Sequence, residues 1–250
     1  MVVPYGAGAW GKAPSGRPLG PKRPLPARSG HSLTRWQTNG ATPLGSPLVA
    51  GVWIVLSTTM LIHTRRFTLR DFLEPDRAAF ISYQMDPRYR HLYDIGKADE
   101  QRAQELFDLF ITWQREVPRQ NFQAGIFEQE TGRLCGCAGL RKAGSHEGTA
   151  VLGIELTPDD WGRYRLAVEV ASALIEHGFH DLDLHMIVGN TVSDNQRVER
   201  LARWFGAEIS ARRAGPDWMV TRGWQEVEWA LARDDWVKFG RRRSLSANQT

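Results

Sequence analysis

Residues 151–179 are VLGIELTPDDWGRYRLAVEVASALIEHGF, and this stretch decides the fold class. Its first residues are mostly apolar or β-branched and predict a strand over Val151–Leu156, which Pro158 terminates. From Leu166 to Phe179, apolar residues recur at spacings of three and four, which predicts an amphipathic helix. A strand that leads directly into a helix is typical of domains that mix both elements.

The sequence on both sides of this stretch also predicts both helices and strands. Gln129 to Gly132 form a favourable hairpin turn between two strands, because Gly132 tolerates a positive φ. The fold class predicted is therefore a mixed α/β domain over residues 60–236. Its predicted helices are Glu74–Met85, Ala98–Val117 and Asp194–Phe205; its other predicted strands lie around Ile62–Leu69 and over Phe122–Glu128, Leu134–Leu140, His185–Val192 and Gln225–Leu231.

The ends of the chain differ from this domain. Residues 1–59 are rich in Gly and Pro and hold six Lys and Arg but no acidic residue, which predicts a disordered basic extension or a mis-assigned start. The apolar run over 48–62 is too short to span a bilayer, although a membrane tether at this run stays open as a weaker alternative. Residues 237–250, which include three consecutive arginines, are predicted to be a second disordered tail.

Charge and cysteine content exclude several classes. From Met60 onward, 26 basic residues face 28 acidic ones, so the core offers no basic surface for nucleic acid. The only cysteines, Cys135 and Cys137, are too few for a disulfide scaffold and indicate a cytoplasmic protein. No histidine lies at ligand spacing from them, so we expect no metal. We also expect no membrane partner, and a monomer or homodimer.

The junction between the strand and the helix is the candidate ligand site. Gly162 lies there with Arg163 and Arg165, and a helix N-terminus offers backbone N–H groups and a positive dipole to a pyrophosphate. An ordinary loop capped by Asp159 or Asp160, with solvated arginines, explains the same residues equally well.

Three longer segments of the sequence favour the ligand site over the ordinary loop. TGRLCGCAGLRKA, VLGIELTPDDWGRYRLAVEVASALIEHGF and LHMIVGNTVSDNQRVERLARWFGAE together resemble the GNAT superfamily of acyl-CoA-dependent N-acetyltransferases. The resemblance is to its ribosomal-protein-alanine (RimJ/RimL-like) branch and extends over residues 60–236. It implies a mostly antiparallel sheet flanked by helices and splayed between Val151–Leu156 and His185–Val192, with acetyl-CoA in the opening as co-substrate.

The resemblance also implies the cofactor contacts. Tyr164 and Leu166 depart from it, because they stand where the family has small residues that let phosphate approach the backbone. Val198 stands where this branch has a serine. The cofactor-binding residues implied are Ile154, Leu156, Trp161, Gly162, Arg163, Tyr164, Arg165, Leu166, Ala167 and Asn195, the last of which is equally explained as a helix cap.

Acetyl transfer to an amine requires a base, oxyanion donors and an acid for the thiolate. On the implied mapping, Glu155 is the base, backbone N–H groups of Ile154 to Leu156 are the donors, and Tyr164 is the candidate acid. A surface carboxylate is the alternative for Glu155. Glu226 and Glu228 are the other base candidates, and Trp218 and Trp224, with Glu226, are expected to line the acceptor pocket; Trp229 belongs to the same aromatic cluster.

These residues predict an N-acetyltransferase that moves an acetyl group from acetyl-CoA to a primary amine of a small molecule or a protein N-terminus by direct transfer. The divergent loop keeps a second hypothesis open. In that hypothesis, the chain is a degenerate, non-catalytic fold that binds a ligand or a partner.

Overall fold

The computed structural model describes residues 59–90 and 99–239. The predictions for residues 1–58, which include most of the apolar run over 48–62, and for the arginine-rich tail beyond residue 239 lie outside the described residues. Within the two described ranges, no helix combines the length and the apolarity needed to cross a bilayer.

Eight strands form one sheet, in the order β1-β2-β3-β4-β5-β6-β8-β7. All neighbours pair antiparallel except β5 and β6. The strands are β1 (Leu61–His63), β2 (Phe67–Arg70), β3 (Asn121–Glu128), β4 (Leu134–Arg141), β5 (Thr149–Leu156), β6 (Met186–Val192), β7 (Glu208–Ala214) and β8 (Gln225–Ala232).

The helices lie between these strands. In the described ranges they are α1 (Arg77–Gln84), α2 (Pro87–Arg90), α3 (Glu100–Trp113), α4 (Tyr164–His180), α5 (Gln196–Trp204), α6 (Asp217–Val220) and α7 over 233–239. Because α7 reaches residue 239, the first three residues of the predicted tail are helical.

Two hydrophobic clusters cover the two faces of the sheet. On one face, Ile154 and its neighbours pack with α4, whose predicted apolar side is buried. On the other face, Phe127 and Cys137 pack with α1 and α3, where Phe80, Phe107 and Phe110 are fully buried. Burial of these aromatic side chains stabilises the cluster by roughly 1.5–3 kcal/mol for each ring.

The sheet is irregular between strands β5 and β6. They pair in parallel only from Thr149 to Val151 on β5, opposite Met186 to Val188 on β6. Beyond Val151, β5 pairs with β4 alone, up to Leu156. The sheet is therefore splayed between these two strands, which confirms the predicted fold class.

The sequence prediction missed some elements. The stretch from Ile62 to Leu69 holds two strands, because Thr64 to Arg66 form a turn in which the Thr64 N–H donates to the Phe67 carbonyl. Strand β7 was not predicted, because it lies at the sheet edge and buries no side chain that would produce an apolar alternation. The predicted hairpin after Glu128 is present, with Gly132 at a φ of 71°.

Candidate active site

The opening between β5 and β6 presents alternate backbone groups of β5. The Leu152 carbonyl faces Gly189 of β6, whereas the Glu155 carbonyl faces Gly136 of β4. Because backbone groups alternate along a strand, the N–H groups of Ile154 and Leu156 point into the opening. The sequence predicted oxyanion donors over Ile154 to Leu156, and two of these three N–H groups face the opening, whereas that of Glu155 points toward β4.

Trp161 holds the end of β5. Its indole Nε1–H donates to the Leu156 carbonyl at 3.0 Å, and the half-buried ring packs against both hydrophobic clusters. Since this bond occupies the Leu156 carbonyl, the opening beside Leu156 is left with the N–H donor. Trp161 therefore affects the predicted site by its contact with the backbone of Leu156 and not by lining the opening.

The turn before α4 has a positive φ of 86° at Gly162, where an added Cβ would meet no atom within 4 Å. The N–H groups of Tyr164 and Leu166 donate to the carbonyls of Gly162 and Arg163. The side chain of Leu166 is 1% exposed and lies in the core, so it does not replace a small residue at the turn surface. Tyr164, by contrast, is 42% exposed.

A polar cavity of about 170 Å³ opens beside this turn. Arg197 and Arg200, three residues apart on α5, line it together with the predicted residues. The sequence analysis did not select these two arginines, although their spacing on the helix after Asn195 places them on one face. The full lining is Leu156, Gly162, Arg163, Tyr164, Ala167, Arg197 and Arg200.

A buried carboxylate fixes the base of the turn. Asp160 is 1% exposed and accepts hydrogen bonds from Thr157, from both terminal nitrogens of Arg133 and from Arg163. Burial alone would raise the pKa of Asp160, but the hydrogen bonds from Arg133 and Thr157 lower it below its usual value. Arg163 is thereby held at the cavity rim, whereas Arg165 is exposed on the first turn of α4.

An apolar cavity of about 80 Å³ lies on the α4 and α5 side of the opening. Leu152 and Ile154 of β5 line one side, and Gly189 and Trp229 line the other. Trp229 is therefore part of this cavity, and its side chain is 5% exposed.

Glu155 lies on the opposite face of the sheet and is 9% exposed, so it is not a surface carboxylate. Its Oε1 accepts hydrogen bonds from the Tyr83 hydroxyl at 2.7 Å and from the Gln84 amide at 2.5 Å. Cys137, its partner in β4, donates from Sγ at 3.8 Å. Sequence reasoning missed Tyr83 and Gln84, because they lie on α1, about seventy residues before Glu155.

The neighbours of Glu155 remain protonated. Burial and the nearby Cys137 and Glu155 raise the pKa of Tyr83 well above its usual value. Burial is also the main cause that raises the pKa of the Cys137 thiol, and it raises that of Cys135 to about 12. The Tyr83 hydroxyl and the two thiols therefore keep their protons at neutral pH.

Three further predicted residues make contacts within the chain. Asn195 caps α5, accepting from the Val198 N–H at 3.2 Å. Trp218 and Trp224 pack edge to face with centroids 6.4 Å apart, and the Arg222 guanidinium lies over both rings.

The two carboxylates of β8 face β7. The Glu228 carboxylate accepts hydrogen bonds from the Ser210 hydroxyl at 2.7 Å and from Arg213 Nη1 at 3.1 Å. The bond from Ser210, followed by that from Arg213, lowers the pKa of Glu228. A lower pKa makes this carboxylate a weaker base. Glu226 lies 4.0 Å from Arg213. In the ranges 59–90 and 99–239, no group of three or more His, Cys, Asp or Glu residues is arranged to hold a metal ion.

Comparison with known proteins decides the family. The sequence model of the acetyltransferase (GNAT) domain matches residues 66–208, which is more than half of the chain. The chain belongs to the GNAT acetyltransferase family. The resemblance found in the sequence is thereby confirmed, and the chain is expected to catalyse acetyl transfer.

The chain is also similar to a curated N-acetyltransferase and to a solved acetyltransferase structure. It is 25% identical over 147 residues to the uncharacterized N-acetyltransferase YoaA of Bacillus subtilis (strain 168), covering 58% of this chain and 81% of that protein. The acetyltransferase (GNAT family) structure from Bacillus anthracis superposes with a TM-score of 0.56 at 18% identity, covering 70% of this chain and 99% of that one.

A structure from Vibrio cholerae assigned as a ribosomal-protein-serine acetyltransferase has a TM-score of 0.54 at 19% identity and covers 69% of this chain and 97% of its own. This likeness shows that the two chains share a fold. None of these relatives favours the hypothesis of a non-catalytic module.

Proposed function

We propose that this GNAT chain transfers the acetyl group of acetyl-CoA directly to a primary amine of a small molecule or a protein N-terminus. One observation carries the proposal. The divergence of β5 from β6 after Val151 leaves the N–H groups of Ile154 and Leu156 facing an opening. Glu155 lies on the sheet face covered by α1 and α3, which is the face where the amine acceptor is proposed to bind. Such an opening accepts an extended amide-containing arm between two strands.

The cofactor is proposed to follow the opening. Its pantetheine arm would pair with β5 beside the apolar cavity, and its phosphates would lie in the polar cavity. Arg197, Arg200 and Arg163 supply positive charge there, and Gly162 leaves room at the turn. The position of Tyr164 in this cavity favours a contact with the cofactor over a role as the acid.

In the proposed reaction, the amine nitrogen attacks the thioester carbonyl carbon while Glu155 takes a proton from the nitrogen. The carbonyl oxygen becomes an oxyanion that the N–H groups of Ile154 and Leu156 stabilise. When the intermediate collapses, the C–S bond breaks, the thiolate takes up a proton from solvent, and Glu155 returns its proton to solvent. Tyr83 and Gln84 position the Glu155 carboxylate and do not contact the acceptor in this scheme.

Two measurements on the full chain test this proposal. Calorimetry with acetyl-CoA is expected to show binding at micromolar concentration, and a thiol-release assay with a panel of primary amines is expected to show turnover. Absence of binding at millimolar acetyl-CoA would contradict the proposal.

Glu155→Gln is expected to lower kcat by about 10² or more while acetyl-CoA binding is unchanged. The matched control is Glu130→Gln, since Glu130 is exposed in the β3–β4 turn. Equal kcat values for Glu155→Gln and the native chain would overturn the assignment of the base.

A further inference from the structure

The sheet is open at the first row where β5 and β6 no longer pair. The last register pair is Val151 with Val188, so Leu152 and Gly189 follow it on the two strands. Among the described residues other than its chain neighbours, only the Leu152 carbonyl comes within 4 Å of a Cβ added at Gly189, at 3.7 Å. The row formed by Leu152 and Gly189 therefore has free space where the splay begins.

The apolar cavity of about 80 Å³ lies at this row. Side chains alternate along a strand, so Gly189 shares a face of the sheet with Ile187, which packs in the same cluster as α4. The register partner of Gly189 on β8 is Trp229, which lines the cavity together with Val198 and Ala202 of α5. An apolar cavity of this kind stays dry and binds apolar ligands.

The cavity is larger than an acetyl group requires. A water molecule needs roughly 10–15 Å³ of such space, and a methylene group is similar in size to a water molecule. A volume of about 80 Å³ therefore admits roughly four or more carbon atoms, whereas an acetyl group brings a single methyl.

The polar and the apolar cavity adjoin successive parts of β5. Leu156 lines the polar cavity, whereas Ile154 and Leu152 line the apolar one. A thioester that binds with its phosphates at the Gly162 turn and its carbonyl on the Ile154 N–H directs its acyl chain toward Leu152. These two residues lie about 7 Å apart along the strand, a distance that a chain longer than acetyl covers.

We propose that the protein also accepts acyl-CoA donors with unbranched chains of about four to six carbon atoms, which fill the apolar cavity. This inference rests on the proposed function and widens its donor from acetyl to short fatty acyl groups. The transfer balances as it does for acetyl. A C–N bond forms to the amine and the C–S bond breaks, while Glu155 takes the amine proton and solvent supplies the proton of the thiol.

The first experiment measures the Kd of the native full chain for acetyl-, butyryl-, hexanoyl- and dodecanoyl-CoA by calorimetry, with free CoA as the reference. Each methylene that enters the cavity is expected to tighten binding by about three- to fourfold, so butyryl-CoA should bind about 10-fold more tightly than acetyl-CoA. The gain is expected to stop before dodecanoyl-CoA, whose chain exceeds the cavity. Thiol release with an accepted amine is expected from butyryl-CoA as well as from acetyl-CoA.

Three results of this experiment overturn the inference. The first is a Kd for butyryl-CoA that equals or exceeds that for acetyl-CoA. The second is a gain that continues at the same rate to dodecanoyl-CoA, because binding to an unbounded apolar surface has no length limit. The third is tight binding of butyryl-CoA without transfer of the butyryl group.

The second experiment fills the open row. Gly189→Ala is expected to lower the ratio of butyryl-CoA affinity to acetyl-CoA affinity by about three- to fourfold, because its methyl group takes the place of one methylene. Gly189→Val is expected to remove the preference for butyryl-CoA. Ala214→Val, on the exposed edge strand β7, is the control and should keep the native ratio.

The ratio distinguishes a filled cavity from a general structural effect. A folded Gly189→Ala that loses affinity equally for both donors contradicts the inference, since a structural effect does not depend on the acyl chain. A native ratio in a folded Gly189→Val contradicts it as well.

The acetyl-CoA titration separates this inference from the proposed function. Binding of acetyl-CoA without any gain for the longer donors leaves the proposed function standing and overturns the inference. If none of the acyl-CoA donors binds at millimolar concentration, the proposed function fails and the inference fails with it.

Discussion

The Tyr83 hydroxyl donates a hydrogen bond of 2.7 Å to Glu155 Oε1, joining α1 to β5 on the face of the sheet that α1 and α3 cover. Both side chains are buried, and the raised pKa of Tyr83 keeps its proton on the hydroxyl. The contact fixes the rotamer of the carboxylate that we propose as the base. Buried hydrogen bonds to charged groups contribute about 1.5–3 kcal/mol.

Tyr83→Phe is therefore expected to lower kcat by about 10-fold or more, because the Glu155 carboxylate loses a donor that orients it. The Kd for acetyl-CoA is expected to stay unchanged, since the cofactor is proposed to lie in the opening between β5 and β6, away from Tyr83. Steady-state kinetics and calorimetry measure both. Tyr89→Phe is the control: the Tyr89 hydroxyl accepts a hydrogen bond from the Gln84 amide, so a smaller loss is expected. Identical kcat values in Tyr83→Phe and the native chain would refute the positioning role.

Arg197→Gln and Arg200→Gln are each expected to raise the Kd for acetyl-CoA several-fold, because each removes a cation from the polar cavity. The double variant is expected to weaken binding further and to reduce its dependence on salt, since exposed charges are screened by ions. Arg212→Gln, an exposed arginine on β7, is the matched control. If the double variant binds acetyl-CoA as the native chain does, the phosphates do not occupy this cavity.

Leu166 and Tyr164 provide a matched pair in one turn. Leu166→Ala is expected to lower the free energy of unfolding by about 2–5 kcal/mol, because it opens a cavity in the core. Tyr164→Ala is expected to change it by less than about 0.5 kcal/mol and to act on the Kd for acetyl-CoA instead. Chemical denaturation and calorimetry test both variants. Equal losses of stability would mean that Tyr164 also packs in the core.

The two cysteines are expected to resist alkylation. Burial raises the pKa of Cys135 to about 12 and that of Cys137 well above its usual value, so neither is a thiolate at pH 8. Iodoacetamide at pH 8 should leave the native chain unmodified and modify both residues in urea, as mass spectrometry would show. Rapid modification of native Cys137 would indicate an open path to Glu155.

Much of the fold was accessible from the sequence because its helices and strands carry regular apolar patterns. The helix at Leu166 to Phe179 and the hairpin turn at Gln129 to Gly132 are where the pattern predicts them. Strand β7 was missed because an exposed edge strand has no such pattern. The two strands around Phe67 merged into one because the turn between them contains neither Gly nor Pro.

The candidate site, like the fold, was predicted from the sequence only in part. The sequence by itself determined the junction at Gly162, the strand that carries Glu155 and the family, because these depend on local motifs and on contiguous apolar spacing. Only the tertiary structure placed Tyr83 and Gln84 on Glu155 and brought Arg197 to the turn at Gly162. It also turned Leu166 into the core and placed Gly189 opposite Trp229 at the apolar cavity. These relationships join residues that are distant in the chain or depend on which face a side chain takes, and both are set by strand register and helix packing.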